Sequence, residues 1–303
     1  MSLVQIRYFL EVARSGSIRE AGERLNIAAS ALSRQIQNLE QEFGMPLFER
    51  KARGMELTPA GEIFARYART MSLETDRVRS EIEELRGIKR GIVKVHSVEG
   101  VIADVMTNAI AQFRAMHPGV RFRLTACGTD DVITAVREGL ADIGVSFNAQ
   151  PDANVHFVRR VPDPLVAIVH RSHVLASRHE ISFPSILAHA VAIPENGFGI
   201  RRLIDDACRV KGISLSPALE TNSIEALRGF ARSGAGVAIL PSTSSRNELK
   251  QGGVVLIPFA DAPLRSATMD LSILAGRKLP MAVNAFMSVL ERCLISPENS
   301  VPP

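Results

Sequence analysis

The chain has 303 residues, of which 46% are hydrophobic and 22% are charged. This composition excludes an intrinsically disordered chain, and the length predicts about two domains. Lysine and arginine exceed aspartate and glutamate by only 36 to 32, so net charge alone does not indicate nucleic-acid binding, and a local motif is required.

The cysteine content and hydropathy pattern indicate a cytoplasmic protein with reduced thiols. Cys127, Cys208 and Cys293 form no CxxC pair, and so few cysteines do not predict a disulfide framework. No apolar run approaches the roughly 20 residues that span a bilayer, and the N-terminus has no signal-peptide pattern.

Two short helices are predicted at the N-terminus. Apolar residues at helical spacing over residues 3–13 predict the first helix, which ends at Gly16. Ser17 and Glu20 are spaced as a capping box that begins the second helix. Asn26 is suited to the left-handed conformation that would end it.

The third predicted helix, roughly residues 29–42, has two distinct faces. Its apolar face consists of Leu32, Ile36, Leu39 and Phe43. At about 100° per residue, the opposite face collects Ser30, Ser33, Arg34, Gln37 and Gln41. Such side chains can read base edges in a DNA major groove. The alternative is a polar face that only contacts solvent, and this helix alone does not decide between the two.

Two short strands with a basic turn between them follow this helix. The strands are predicted at residues 46–50 and 55–58, and the turn contains Lys51 and Arg53. Helices followed by a small hairpin with a basic tip describe a winged helix-turn-helix. Lys51 and Arg53 at the tip would meet phosphates or a minor groove, and Arg50 belongs to the same candidate surface.

The segment from Ser17 to Glu62 closely resembles the DNA-binding domain of LysR-type transcription regulators. The resemblance is carried by Ala21, Leu25, Ala31-Leu32-Ser33-Arg34-Gln35-Ile36, Leu39-Glu40, Leu47-Phe48-Glu49-Arg50 and Leu57-Thr58-Pro59-Ala60-Gly61. Many family members have a DNA-contacting glutamine at the position of Ala29, and alanine cannot make that polar contact. The resemblance therefore implies base readout by Ser30, Ser33, Arg34 and Gln37, within a DNA-binding domain of residues 1–58.

A long helix is predicted over residues 59–87, with Thr58 as its N-cap. Its apolar stripe consists of Ile63, Tyr67, Met71, Val78, Ile82 and Leu85. About 28 residues span about 42 Å, which is too long to pack fully against the preceding domain. Pairing with a second protomer would cover the stripe, and packing within one chain is the alternative. LysR-type regulators are similar in dimerising through this helix, and by resemblance the assembly is a homotetramer, a dimer of dimers.

Strand and helix patterns alternate from Gly91 onward, which predicts a mostly parallel sheet with helices on its faces. The predicted strands are 92–95, 120–126, 142–145, 165–169, 237–240, 254–258 and 271–274, and the helices are 102–116, 129–140, 200–211, 224–233 and 281–294. Thr129 is predicted to cap the second of these helices. A second lobe is predicted to begin near Val161-Pro162.

This region resembles the effector domain of LysR-type regulators, a fold shared with periplasmic solute-binding proteins. The resemblance is carried by Gly128, the run from Gly139 to Gly144, and the run from Gly234 to Pro241. The predicted fold class is α/β overall, with an N-terminal α-rich winged helix-turn-helix, a long linker helix and a C-terminal bilobal α/β effector domain of the type II periplasmic-binding-protein kind. The predicted divisions are lobe 1 at 91–161 plus 266–295, lobe 2 at 162–265 and a tail at 296–303.

Four loops are candidates for a ligand site, because ligands of open α/β sheets bind at the carboxyl ends of strands beside helix N-termini. Loop 96–100 follows the first predicted strand, and loops 127–129, 195–199 and 221–223 each precede a predicted helix. By resemblance, these loops face each other across the cleft between the lobes. The candidate effector-binding residues are Ser97, Glu99, Gly100, Gly128, Thr129, Phe147, Asn196, Phe198, Asn222 and Ser223. Alternatively, Ser97, Thr129 and Ser223 are helix caps and Phe147 is a core residue. The helix N-termini favour a small carboxylate-bearing metabolite, and Glu99 leaves room for an amino group on it.

No motif indicates an enzyme, a metal site or a cofactor. The sequence has no GxSxG, HExxH, Walker or strand-linked GxGxxG pattern. The peroxide-sensing LysR member uses two cysteines nine residues apart; Cys208 matches the second, but Gly199 stands at the position of the first.

We therefore predict a sequence-specific DNA-binding transcription regulator, controlled by a small-molecule effector bound between the two lobes. Its partners would be double-stranded promoter DNA, the effector and further copies of this chain. No binding to a membrane is predicted. The alternatives are a stand-alone small-molecule binding protein and an enzyme on a solute-binding-protein fold.

Overall fold

The computed structural model describes residues 1–51, 54–84, 91–245 and 252–295. It divides into two compact units, Met1–Ile82 and Glu83–Pro303, which are called unit 1 and unit 2. Three sequence predictions, the DNA contact Arg53, the stripe residue Leu85 and the tail 296–303, lie outside the described residues.

Unit 1 begins with the helices α1 (Leu3–Ser15), α2 (Ile18–Leu25) and α3 (Ala29–Phe43). Ser17 and Asn26 cap α2 as predicted, because the Ser17 hydroxyl accepts the Glu20 N–H at 3.3 Å and Asn26 has a φ of 56°. The second bond of the predicted capping box is not formed, since the Ser17 N–H donates to Ser15 Oγ at 3.3 Å instead of to Glu20. Phe43 was predicted to be buried and is 48% exposed. As the last residue of α3, it lies at the edge of the core.

The hairpin and the long helix complete unit 1. Strands β1 (Phe48–Lys51) and β2 (Gly54–Leu57) pair antiparallel. The next helix, α4 (Pro59–Glu84), begins at the predicted cap, where the Gly61 N–H is 3.0 Å from Thr58 Oγ1. A Cβ on Gly61 would lie 2.0 Å from the Leu47 carbonyl oxygen, so this close approach of α4 to the hairpin requires glycine.

Unit 2 contains ten strands and six α-helices among the described residues. In chain order they are β3 (Gly91–Ser97), α5 (Thr107–Met116), β4 (Val120–Ala126), α6 (Thr129–Arg137), β5 (Ile143–Phe147), β6 (Val155–Pro162), β7 (Leu165–His170), β8 (Val191–Pro194), α7 (Gly199–Lys211), β9 (Leu219–Thr221), α8 (Ile224–Arg232), β10 (Val237–Pro241), β11 (Val254–Pro258), α9 (Ala262–Arg265), β12 (Thr268–Leu274) and α10 (Met281–Ile295). Their buried side chains form a main core that extends through both lobes.

The strands form two five-stranded sheets, one in each lobe. The first has the order β4-β3-β5-β12-β6 and the second has the order β11-β7-β10-β8-β9. Both sheets are mixed, because β12 runs antiparallel to β5 and β6, and β7 runs antiparallel to β10 and β11. Four of the five strands in each sheet nevertheless point the same way, so the predicted mostly parallel arrangement is confirmed except for one reversed strand in each sheet. The reversed strands are β12 and β7, and each of them follows one of the two crossings between the lobes.

The helix predicted at 102–116 is a single α-helix only in its second part. A 3₁₀ helix at Glu99–Val101 and a π-helix at Ile102–Met106 precede α5. These three kinds of helix differ in hydrogen-bond spacing, and a short pattern of apolar residues does not distinguish them. Among the described residues, no helix combines the length and apolar character needed to cross a membrane.

Candidate functional site

Helix α3 presents its predicted polar face to solvent within unit 1. Leu32, Ile36 and Leu39 are almost completely buried and hold the opposite face on the core. On the polar face, Ser30, Arg34 and Gln37 are exposed and Ser33 is half-buried. Four side chains that can donate hydrogen bonds therefore lie together on one helix of unit 1. Base readout in a major groove requires such an arrangement.

The basic side chains of the hairpin differ in their surroundings. Arg50 and Lys51 are both exposed, but Lys51 Nζ lies 2.7 Å from Glu56 Oε2 and 3.0 Å from Glu49 Oε1. The hydrogen bond with Glu56, followed by the one with Glu49, raises the pKa of Lys51 to about 12. A DNA phosphate would have to compete with two carboxylates for this ammonium group.

Glu40 connects α3 to the hairpin, a role that the sequence did not reveal. Its Oε1 accepts the Leu47 N–H at 2.8 Å and the Phe48 N–H at 3.1 Å. The carboxylate therefore fixes the start of β1 relative to the helix that carries Arg34. A glutamate on a helix usually belongs to a solvated face, and nothing in the local pattern distinguishes Glu40 from such a residue.

Helix α4 has an apolar face that the rest of unit 1 leaves uncovered. Phe64, Ala65 and Ala68 are buried in the unit 1 core. Four large apolar side chains of the predicted stripe are instead between 44% and 63% exposed. They are Ile63, Tyr67, Val78 and Ile82.

Within unit 2, a cleft of about 400 Å³ lies at the carboxyl ends of parallel strands in both sheets. The loops after β3, β4, β8 and β9 all contribute to it, so the structure brings the four predicted loops together. Five predicted effector residues line it: Glu99, Gly128, Asn196, Phe198 and Asn222. The other lining residues are Ala126, Cys127, Asp130, Asp131, Glu195 and Gly197.

Three other predicted effector residues are buried and bound to the backbone or packed in the core. The Ser97 hydroxyl donates to the Val98 carbonyl oxygen at 3.0 Å. Thr129 Oγ1 accepts the Phe147 N–H at 3.2 Å and donates to the Phe147 carbonyl oxygen at 3.0 Å. Gly128 rather than Thr129 is the N-cap of α6, so the predicted capping role of Thr129 is wrong: its side chain turns toward β5. The Phe147 ring is 2% exposed and belongs to the core.

The two remaining predicted residues, Gly100 and Ser223, do not line the cleft and have structural roles. Ser223 caps α8, because its hydroxyl accepts the Ala226 N–H at 3.3 Å; this confirms the alternative interpretation of that serine. A Cβ on Gly100 would lie 2.9 Å from the Ser244 Cβ. Gly100 therefore serves the packing of the loop after β3.

The cleft is strongly acidic, which the sequence analysis did not anticipate beyond Glu99. Asp130, Asp131 and Glu195 also line it. Asp130 forms an ion pair with Arg202 across the cleft, from lobe 1 to lobe 2. Asp130 and Asp131 lie in the first turn of α6, where the helix N-terminus stabilises negative charge. The two aspartates that follow Gly128 and Thr129 in the sequence could have indicated an acidic cleft. The sequence analysis instead treated the helix N-termini as free to bind a ligand.

The Cys127 thiol faces this acidic environment and is not activated. Its Sγ lies 3.8 Å from His96 Nδ1. Burial, with a further contribution from Asp131, raises the pKa of the Cys127 thiol to about 11, and burial lowers the pKa of His96. The thiol is therefore protonated near neutral pH and is a poor nucleophile. Among the described residues, no group of three or more histidine, cysteine, aspartate or glutamate side chains could hold a metal ion.

Comparisons with known proteins agree over nearly the whole chain. Residues 3–62 match the family model described as a bacterial regulatory helix-turn-helix protein of the lysR family. Residues 86–294 match the model described as the LysR substrate binding domain. The Bacillus subtilis transcriptional dual regulator GltC is 29% identical over 289 residues, which cover 94% of this chain and 95% of that protein. A probable nitrogen assimilation transcriptional activator of Synechococcus elongatus is 27% identical over 267 residues, covering 87% and 86%.

Two solved structures show the same fold. A full-length OxyR variant from Pseudomonas aeruginosa has a TM-score of 0.75 at 21% identity, with 100% of this chain and 99% of that chain covered. Full-length CbnR in complex with its target DNA has a TM-score of 0.60 at 21% identity, covering 97% and 100%. The named relatives are transcription regulators and not enzymes. Their functions support neither a stand-alone small-molecule binding protein nor an enzyme on a solute-binding-protein fold. The chain belongs to the LysR family of bacterial DNA-binding transcription regulators.

Proposed function

We propose that this regulator binds promoter DNA through α3 and the hairpin, and that a small zwitterionic metabolite in the cleft of unit 2 controls that binding. The observation that carries the proposal is the cleft itself. It lies at the carboxyl ends of β3, β4, β8 and β9 and is lined from both lobes. A ligand there contacts both lobes at once and therefore favours one arrangement of them over another.

Base readout is assigned to Ser30, Ser33, Arg34 and Gln37. Three of these side chains are exposed, and the fourth is half-buried on the same face of α3. Arg50 is exposed, and Lys51 is paired with two glutamates. Arg50 is therefore the stronger phosphate contact of the two, and Arg53 completes the proposed basic tip.

The exposed apolar face of α4 supports assembly through this helix. Ile63, Tyr67, Val78 and Ile82 would each lose exposed apolar surface if α4 paired with the same helix of a second protomer. We propose that two such dimers form a tetramer that acts on DNA in the cytoplasm. The corresponding functional division is residues 1–58 for DNA binding, 59–87 for dimerisation, 91–161 with 266–295 for lobe 1, and 162–265 for lobe 2, with 296–303 as a tail.

The effector that fits this cleft carries both a carboxylate and an amino group. Asp131 and Glu195 have no ion-pair partner among the described residues and would bind an ammonium group. The N-terminus of α7 has no side-chain cap, and the Asn196 amide lies nearby in the lining. These groups would bind a carboxylate. A volume of about 400 Å³ fits a small metabolite.

Calorimetric titration of the full-length protein tests this effector class. The panel contains α-amino acids, the amines that lack the carboxylate and the acids that lack the amino group. We expect saturable binding only for an amino acid, with affinity reduced about tenfold or more by Asp131→Asn. Glu138→Gln, which removes an equal charge on lobe 1 outside the cleft lining, is the matched control. Equal binding of an acid that lacks the amino group would contradict the proposal.

A further inference from the structure

Glu99 crosses from lobe 1 to the N-terminus of α8 in lobe 2. Its Oε2 accepts the Ile224 backbone N–H at 2.9 Å. Glu99 lies just after β3, whereas Ile224 is the first residue of α8. A carboxylate at this position satisfies one of the N–H groups that a helix leaves open at its start, and it interacts favourably with the positive end of the helix.

A second contact holds the same loop to lobe 2. Arg228, on α8, donates from Nη2 to the Gly100 carbonyl oxygen at 3.5 Å and to the Ser244 carbonyl oxygen. The Arg228 side chain is only 11% exposed. Gly100 also packs so closely on Ser244 that a Cβ there would lie 2.9 Å from the serine Cβ. Residues 99 and 100 are therefore bound to two separate elements of the other lobe.

The loop that carries Glu99 is not part of a regular helix. Residues Glu99–Val101 form a 3₁₀ turn, Ile102–Met106 form a π-helix, and α5 begins only at Thr107. Neither the 3₁₀ turn nor the π-helix has a side-chain cap. The Val98 N–H donates to the Val145 carbonyl oxygen at 3.0 Å, and Val98 and Val101 are buried. The backbone on both sides of Glu99 is therefore held in lobe 1, and its side chain extends to lobe 2.

We infer that Glu99 is an internal ligand of α8, and that this contact, together with the Asp130–Arg202 ion pair, holds the two lobes together when the cleft contains no effector. Glu99 and Asn222 both line the cleft, so an effector bound between them competes with this contact. The ammonium group that Asp131 and Glu195 would bind also attracts Glu99, another carboxylate of the same lining, and so weakens its bond to the Ile224 N–H. This inference rests on the proposed function of the cleft, but it concerns the protein without effector.

Hydrogen exchange on the full-length protein without added ligand tests the contact. In Glu99→Ala the Ile224 amide should exchange about ten- to a hundredfold faster than in the wild type, because a hydrogen bond to a charged acceptor is lost. Glu99→Gln retains a neutral acceptor and should give an intermediate rate. Glu195→Gln removes an equal charge from the cleft lining without touching α8, and should leave the rate unchanged. Unchanged exchange of the Val95 amide in lobe 1 shows that the variants remain folded.

A distance measurement tests whether the contact holds the lobes together. Spin labels attached through unnatural amino acids at Leu140 in lobe 1 and Val174 in lobe 2, both exposed, report the separation of the lobes. The distribution should be longer and broader in Glu99→Ala than in the wild type and in Glu195→Gln. Equal Ile224 exchange in all four proteins would overturn the inference, and so would faster exchange with an unchanged distance distribution. Because no effector is added, either result leaves the calorimetric test of the proposed function intact.

Discussion

Replacing Glu40 by alanine should loosen the hairpin from α3. In the wild type, Oε1 of this half-buried side chain accepts the N–H groups of Leu47 and Phe48 at 2.8 and 3.1 Å. A hydrogen bond to a charged group contributes about 1.5–3 kcal/mol. The two bonds share one oxygen, so their contributions are not additive. We therefore expect Glu40→Ala to reduce the stability of this region by about 2–3 kcal/mol.

Hydrogen exchange and DNA binding measure this effect. The Leu47 and Phe48 amides should exchange about 30- to 150-fold faster in Glu40→Ala, the equivalent of about 2–3 kcal/mol. DNA affinity should fall as well, because the loosened hairpin has to be ordered on binding. Glu40→Gln keeps a neutral oxygen of the same shape and should recover about half of the lost free energy. Wild-type exchange rates at both amides in Glu40→Ala would refute the reasoning.

Three further predictions concern the hairpin, α4 and the cleft. Loss of one free phosphate contact lowers the slope of log affinity against log salt concentration by about 0.9. Lys51→Ala should lower this slope by less, because Lys51 is already paired with two glutamates; a decrease of about 0.9 would contradict this. Ile82→Asp should shift the protein toward monomers in light scattering, because it places a charge on the exposed apolar face of α4; an unchanged mass would refute pairing through this face. Asp131→Asn should lower the pKa of the Cys127 thiol from about 11, because a negative charge that opposes the thiolate is removed. Alkylation of Cys127 should then begin at lower pH, and an unchanged pH profile would argue against the cause given.

Local signals in the sequence predicted most of unit 1 correctly. Ser17, Asn26 and Thr58 were identified as helix caps, and each has the expected geometry. These predictions succeed because a cap depends on residues within a few positions in the chain. The contact of Glu40 with Leu47 and Phe48 spans seven and eight residues, and its presence depends on how the hairpin folds back on α3.

The cleft shows the same limit over longer distances. The four loops could be located, because each lies directly before a predicted helix with a recognisable apolar pattern. The orientation of their side chains could not, since Thr129 turns toward Phe147 and Glu99 reaches Ile224, 125 positions away. Strands β6, β8 and β9 were not predicted, and neither was the antiparallel pairing of β12. Pairing direction follows from the path of the chain between the lobes, which local periodicity does not record.

The affinity of full-length Arg34→Ala for an operator located by footprinting of wild-type protein tests the central claim most directly. Arg34 is exposed on the polar face of α3, and a bidentate base contact contributes about 1–3 kcal/mol. We expect the variant to bind the operator about 5- to 150-fold more weakly, while its affinity for unrelated DNA changes far less. Arg7→Ala removes an exposed positive charge on α1 and should retain operator affinity. Folded Arg34→Ala protein that binds its operator with wild-type affinity would contradict the assignment of α3 as the recognition helix.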